Sequence, residues 1–220
     1  MRVKANAQSI IFDMDGTLVN TMGLHSVTWK ETFGLHGKDV PVEKIEPFIG
    51  TSTYTMITSC FDPDASLSLE KMMRKETNDS ITAKIADLGE TLIFPEVEDV
   101  LINLRNRKVK MGLGSDNSRE GIGNVLRHTK LSRFFSSVVS AEDVGNRRKP
   151  DPAVFIEAAR RLDVDPKDTL IIGDTARDME AAKKGGFRAA VQFIYDRQAS
   201  SISKHADVLI YNFGQLSDLF

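Results

Sequence analysis

The chain has 220 residues, enough for one large domain or a domain carrying an inserted subdomain. Its 29 basic and 31 acidic residues leave a net charge of −2, which argues against a general nucleic-acid surface or a polybasic membrane surface. Hydrophobic residues make up 41%, so a normal core is expected, and a single cysteine, Cys60, excludes an internal disulfide.

Ser9-Ile10-Ile11-Phe12 is a short apolar run that reads as a buried strand. It is the only apolar run near the start of the sequence and is no signal-type segment. No stretch approaches the ~20 apolar residues that span a bilayer, so a soluble cytoplasmic protein is expected. Residues 20–90 then read as helical throughout, over 24–33, 42–48, 54–61 and 69–88. The last of these carries Leu69, Met72, Met73, Ile81, Ile85 and Leu88 at approximate helical spacing.

From residue 91 the signals alternate. Helix 97–107 precedes strand 109–113, helix 119–128 precedes strand 136–140, and helix 153–162 precedes strand 169–172. Helix 179–184 stops at Gly185-Gly186, and strands follow over 187–193 and 208–211. Such alternation implies an α/β fold with a parallel sheet and right-handed crossovers. The expected architecture is a Rossmann-like core formed by 1–19 and 91–220, with an all-helical cap inserted at 20–90. Hinges are expected near 19–21 and 91–95, placing the cap over the C-terminal edge of the sheet.

Four polar sites follow strand signals in order. Asp13-Met14-Asp15-Gly16-Thr17 places two carboxylates where open α/β sheets bind ligands, and Gly16 lets the backbone turn sharply. Asp and Gly also make ordinary turns, so this stretch alone decides nothing. Ser115-Asp116-Asn117-Ser118 offers a hydroxyl, and Asn117 or Ser118 can cap a helix whose N-terminal amides favour a phosphate. Lys149 stands before Pro150 and Pro152, on a segment stiff enough to aim it inward. Asp174 and Asp178 are one helical turn apart and can face one point, or they can serve the helix N-terminus. A parallel sheet brings all four strand ends to one edge. The clustered carboxylates repel unless a cation is present, and Mg2+ suits carboxylates shared with a phosphate.

With these residues in this order, the chain resembles the haloacid dehalogenase superfamily, in its phosphatase branch. Asp13-x-Asp15-Gly16-Thr17, Ser115, Lys149-Pro150 and Gly173-Asp174-x-x-x-Asp178 match its four motifs, and the helical insert matches its small cap. The resemblance implies that Asp13 attacks phosphorus and that Asp15 is the acid and base. It implies that Asp13, Asp15 through its carbonyl, Asp174 and Asp178 hold Mg2+. Ser115 and its neighbours Asp116 and Asn117 would hold the phosphate, and Lys149 would offset its charge. A small phosphorylated metabolite is the implied substrate, phosphoglycolate-like or a sugar phosphate, turned over by a monomer or homodimer. The alternatives are a β-phosphoglucomutase-like mutase and a non-catalytic phosphate-binding protein.

In the cap, His25 and Trp29 share a helix face, and His25 serves either packing or substrate. Ile49-Gly50-Thr51-Ser52-Thr53 resembles the loop that reads substrate in these relatives. In the mutases that loop is basic; Ile49 and Thr53 are not, which favours a plain hydrolase. Thr51 and Thr53 are the candidate substrate contacts. Lys44, Lys71 and Lys75 sit among polar neighbours and read as solvated helix faces, not as Schiff-base lysines.

Overall fold

In the computed structural model the described residues are 8–49, 51–195 and 202–219, so Gly50 of the cap loop lies outside them. Six strands form one sheet: β1 (Ser9–Phe12), β2 (Lys110–Gly114), β3 (Ser137–Val139), β4 (Thr169–Gly173), β5 (Ala189–Phe193) and β6 (Val208–Ile210). The order is β3-β2-β1-β4-β5-β6 and every pairing is parallel. The helices are α1 (Met22–Leu35), α2 (Val42–Ile45), α3 (Thr53–Cys60), α4 (Leu67–Leu88), α5 (Val97–Asn106), α6 (Arg119–His128), α7 (Ala153–Leu162) and α8 (Ala176–Lys184). This is the α/β class that the alternating pattern predicts.

The chain divides into two compact units, Met1–Val19 with Glu90–Phe220, and Asn20–Gly89. In the first, β1, β4 and β5 are buried along their whole length, which is why they read as continuous apolar runs rather than alternating ones. Successive side chains still point to opposite faces. Ile11 joins Phe155, Leu162, Met179 and Ala182 from α7 and α8 on one face. Phe12 stacks on Phe213 at 6.3 Å and meets Phe135 edge-on at 5.9 Å. Strand order reverses across β1 and β4, and such a switch point opens a crevice at the strands' C-terminal ends. The two connections to the insert are tied together, by a bridge between Val19 and Ile93 and a bond from Phe94 N–H to Leu18 O at 3.1 Å.

The Asn20–Gly89 unit is all helical and has its own core of Trp29, Phe33, Val40, Ile45, Met56, Ile57, Ala65 and Met73. Phe33 stacks on Phe61 with centroids 5.3 Å apart. A buried polar pair joins α1 to α4, Thr32 with Thr77, whose hydroxyls meet at 2.8 Å. No helix among the described residues is long and apolar enough to cross a membrane.

Most other boundaries differ from the sequence expectations by one or two residues, and three larger differences have a physical reason. The helix expected over 42–48 breaks into α2 and a 3₁₀ turn at Glu46–Phe48, because Pro47 has no N–H to continue the ladder. Helix α8 starts at Ala176 rather than 179, because Thr175 and Asp178 form a capping box that carries the first turn without an apolar stripe. Strand β5 starts at Ala189, since Phe187 instead packs edge-on against Phe155 at 6.3 Å.

Candidate active site

The residues after β1 fold into a tight turn. Asp13 N–H still follows the sheet, donating to Ile172 O at 2.9 Å, so the Asp13 main chain is anchored to β4. The next residues leave the strand: Leu18 N–H returns to Met14 O at 2.9 Å and Gly16 N–H reaches Val19 O at 2.8 Å. Gly16 has φ +77°, a conformation that other residues adopt only at a cost. Asp13 is buried, and Asp15 is half-buried.

Across the switch point, Asp174 leaves β4 buried, with Thr17 Oγ1 donating to its Oδ1 at 3.3 Å. Its carbonyl accepts from Gln192 Nε2 at 3.0 Å. Asp178, at 0% exposure, does both of the things its position allowed. Its Oδ2 accepts from Thr175 N–H at 3.0 Å and from the Thr175 hydroxyl, capping α8. Its Oδ1 faces Lys149 Nζ at 2.7 Å as an ion pair, outside hydrogen-bond alignment.

Lys149 is 5% exposed, and its ammonium also lies 2.6 Å from Asp13 Oδ1 and 5.2 Å from the centre of the Phe155 ring. Burial alone would pull this ammonium down, but Asp13, Asp178 and Asp116 outweigh it and hold Lys149 above the usual lysine range. Asp13 is pushed well above the usual carboxylate range, first by burial and then by Asp178 and Asp174, against the opposing pull of Lys149. Two buried carboxylates, Asp13 and Asp178, thus share a single ammonium, with the Asp174 carboxylate close by. Oxygens of Asp13, Asp174 and Asp178 all lie within 4.8 Å of one another. This surplus of buried negative charge, all on hard oxygen donors, fits a divalent cation such as Mg2+.

The loop after β2 supplies the polar groups on the other side of β1. Ser115 is buried, its N–H bonded to Val139 O at 3.0 Å and its hydroxyl accepting from Asn117 N–H at 3.1 Å. Ser118, not Asn117, caps α6, accepting from Gly121 N–H at 3.1 Å. Asn117 instead donates from Nδ2 to Asp15 Oδ2 at 3.2 Å. A Cβ at Gly121 would lie 2.5 Å from Asn117 Oδ1, so the bare glycine makes room for that amide. Asp116 turns to the main chain of Lys149 rather than outward.

The structure thus brings Asp13, Lys149, Asp174 and Asp178 together, and links Asn117 to Asp15. In the helical unit, Trp29 is buried against Phe33 at 5.5 Å and His25 is half-buried. Thr51 is exposed, with its hydroxyl donating to Phe48 O at 2.7 Å, and Thr53 opens α3. Lys44, Lys71 and Lys75 are exposed, as are Arg147 and Arg148. Arg177 and Gln192 are not marked as site residues by the sequence motifs, whereas Thr17 is the last position of the first one. Gln192 did leave a signal, as a lone polar residue inside the apolar strand β5.

A family model described as haloacid dehalogenase-like hydrolase matches residues 10–192, and the chain belongs to that family. It is 27% identical over 186 residues to pyrophosphatase PpaX of Oceanobacillus iheyensis, covering 83% of this chain and 82% of that one. It is 27% identical over 201 residues to the phosphoglycolate phosphatase of Salmonella typhi, covering 82% and 79% respectively. The fold is similar to that of a β-phosphoglucomutase from Clostridium difficile, with a TM-score of 0.80, 24% identity, and 96% and 93% of the two chains covered.

Proposed function

We propose that this chain is a Mg2+-dependent hydrolase of small phosphate monoesters that works through a phosphoryl group carried on Asp13. The observation behind this reading is the buried ammonium of Lys149 shared between Asp13 and Asp178, with Asp174 alongside. Asp13, Asp174 and Asp178, with the carbonyl of Asp15, would hold the cation, and Mg2+ bound there would neutralise charge on the phosphoryl oxygens.

The chain's own groups then have separate tasks. The Asp13 carboxylate forms a bond to phosphorus as the bond from phosphorus to the leaving oxygen breaks. Asp15 gives its proton to that oxygen. As a carboxylate, Asp15 next takes a proton from water, whose oxygen attacks the same phosphorus, freeing Asp13 and inorganic phosphate. Lys149 offsets negative charge on Asp13 and on the phosphoryl group throughout. Ser115 and the amides that open α6 hold phosphoryl oxygens.

The names of the Oceanobacillus and Salmonella relatives support phosphate ester or anhydride substrates, and we place the substrate among phosphoglycolate-like acids and sugar phosphates. Transfer to a second sugar hydroxyl, as in a mutase, calls for a basic site for a second phosphate. Ile49 and Thr53 offer none, which favours water as the acceptor. The reading includes a cytoplasmic monomer or homodimer.

The test is phosphate release across phosphoglycolate, hexose phosphates, nucleoside monophosphates and pyrophosphate, with Mg2+ and with EDTA. Metal-dependent release from one or a few of these is the expected result. Silence on all of them, and on hexose-phosphate isomerisation, sinks the catalytic reading and leaves a phosphate-binding protein.

A further inference from the structure

Two charged side chains, one from the loop after β2 and one from helix α8, grip the main chain of Lys149 on both sides. Asp116, after β2, accepts the Lys149 N–H on both carboxylate oxygens, at 3.0 and 3.2 Å. Arg177, in the first turn of α8, donates from Nε to the Lys149 carbonyl at 2.6 Å and from Nη2 to the same oxygen. Nη2 also lies 3.4 Å from Asp116 Oδ2, which closes a ring through the lysine's own peptide groups. Asp116 is not among the carboxylates that lie within 4.8 Å of one another at the cluster.

We infer that Asp116 and Arg177 are positioning residues that fix the Lys149 main chain so that its ammonium stands between Asp13 and Asp178. The inference rests on the hydrolase reading. Its physical reason is the mismatch between a flexible four-carbon stem and a fixed target. Lys149 lies on a loop whose preceding residues, Arg147 and Arg148, are exposed, and the next residue, Pro150, has no N–H to anchor. Yet the ammonium must hold two carboxylates, at 2.6 and 2.7 Å. Catalytic groups tolerate displacements of only about 0.5 Å, so the stem's root has to be held. The charge of Asp116 points the same way. A carboxylate facing a phosphate dianion repels it, whereas one spent on a peptide N–H and a guanidinium is neutralised and serves as scaffold.

The test combines kinetics with amide hydrogen exchange on the full chain. Asp116→Ala and Arg177→Ala should each lower kcat about tenfold to a hundredfold, the scale of a ~1 Å misplacement, with KM changed less than about threefold. Combining them should cost little more than the worse single change, and Asp116→Asn, which keeps an acceptor for the N–H, should recover part of the rate. In a Lys149→Ala background, Arg177→Ala should leave the residual rate unchanged. Exchange of the 147–151 segment should quicken in both alanine variants while strand β4 stays protected. Unchanged kcat, the same fold-loss with and without Lys149, or unchanged exchange at Lys149 each overturns the inference. If the wild-type chain releases no phosphate from any ester, the hydrolase reading falls, and the exchange measurement still decides whether the clamp exists.

Discussion

Gly16 and Asp174 are fitted to one another: a methyl group on Gly16 would lie 2.4 Å from Asp174 Oδ2. The missing side chain is therefore part of how the carboxylate after β4 reaches the turn after β1. The same residue also carries the turn's left-handed backbone, at φ +77°.

Gly16→Ala should consequently fail twice. The backbone conformation alone costs roughly 1–2 kcal/mol for a residue with a Cβ. The methyl group also displaces the Asp174 carboxylate, so the Mg2+ concentration needed for half-maximal activity should rise by about tenfold or more, ~1.4 kcal/mol in binding. A Mg2+ titration of the rate, alongside a thermal melt, separates the two effects. An unchanged titration midpoint would show that Asp174 does not depend on this turn.

Asp13→Asn should remove turnover while leaving the fold intact, with a loss of ~10⁴-fold or more, as for the removal of other covalent nucleophiles. The amide keeps the shape of the buried site and takes one negative charge from a cluster that has too many. Single-turnover phosphate release and circular dichroism check the two halves of this expectation. A variant with near-normal kcat would overturn the nucleophile role.

Mg2+ should stabilise the folded chain by relieving repulsion among Asp13, Asp174 and Asp178. At about a hundred times Kd a ligand specific to the folded state adds about 2.7 kcal/mol. The melting temperature should climb with Mg2+ and return with EDTA, and Asp174→Asn should lose most of that response. Equal responses in the two proteins would place the cation elsewhere.

Away from the site, Asp143 makes a pH-dependent contribution to stability. Burial pushes its carboxyl up, but hydrogen bonds from the Ser140 hydroxyl and N–H and from Arg161 outweigh this and hold it below the usual carboxylate range. A depressed pKa stabilises the fold above the unfolded value, near 3.9, and that stability is lost as pH falls through the folded one. Asp143→Asn should therefore cost about 1 kcal/mol, a capping-scale loss, at pH 5 to 8. The gap from wild type should narrow below about pH 4. Urea melts at several pH values measure it, and a gap that widens on acidification would contradict the assignment.

Local structure was legible where apolar runs and helical periodicity mark it. Ser9–Phe12, Arg119–His128 and Ala153–Leu162 could be read from apolar runs and periodicity, and the structure has the same bounds. The start of α8 was not, because Ala176-Arg177-Asp178 carries no apolar stripe and the capping box does its work instead. The order of Asp13, Ser115, Lys149 and Asp174 along the chain was enough to place them at one sheet edge, because parallel strands all end on the same side.

What only the tertiary structure decided is which atoms those residues spend on one another. Asp116 could be read as a phosphate contact, but its carboxylate turns to the Lys149 N–H, 33 positions along the chain. Arg177 sits beside Asp178 without any motif to mark it, and reaches the Lys149 carbonyl 28 positions back. Periodicity and turn preferences report on the nearest turn of the chain. Strand order and the packing of α7 and α8 on the sheet set contacts at these longer separations. By itself, then, the sequence determined most of the elements and the parallel edge on which these polar residues fall. The packed sheet determined the sharing of one ammonium between two carboxylates and the grip on its peptide.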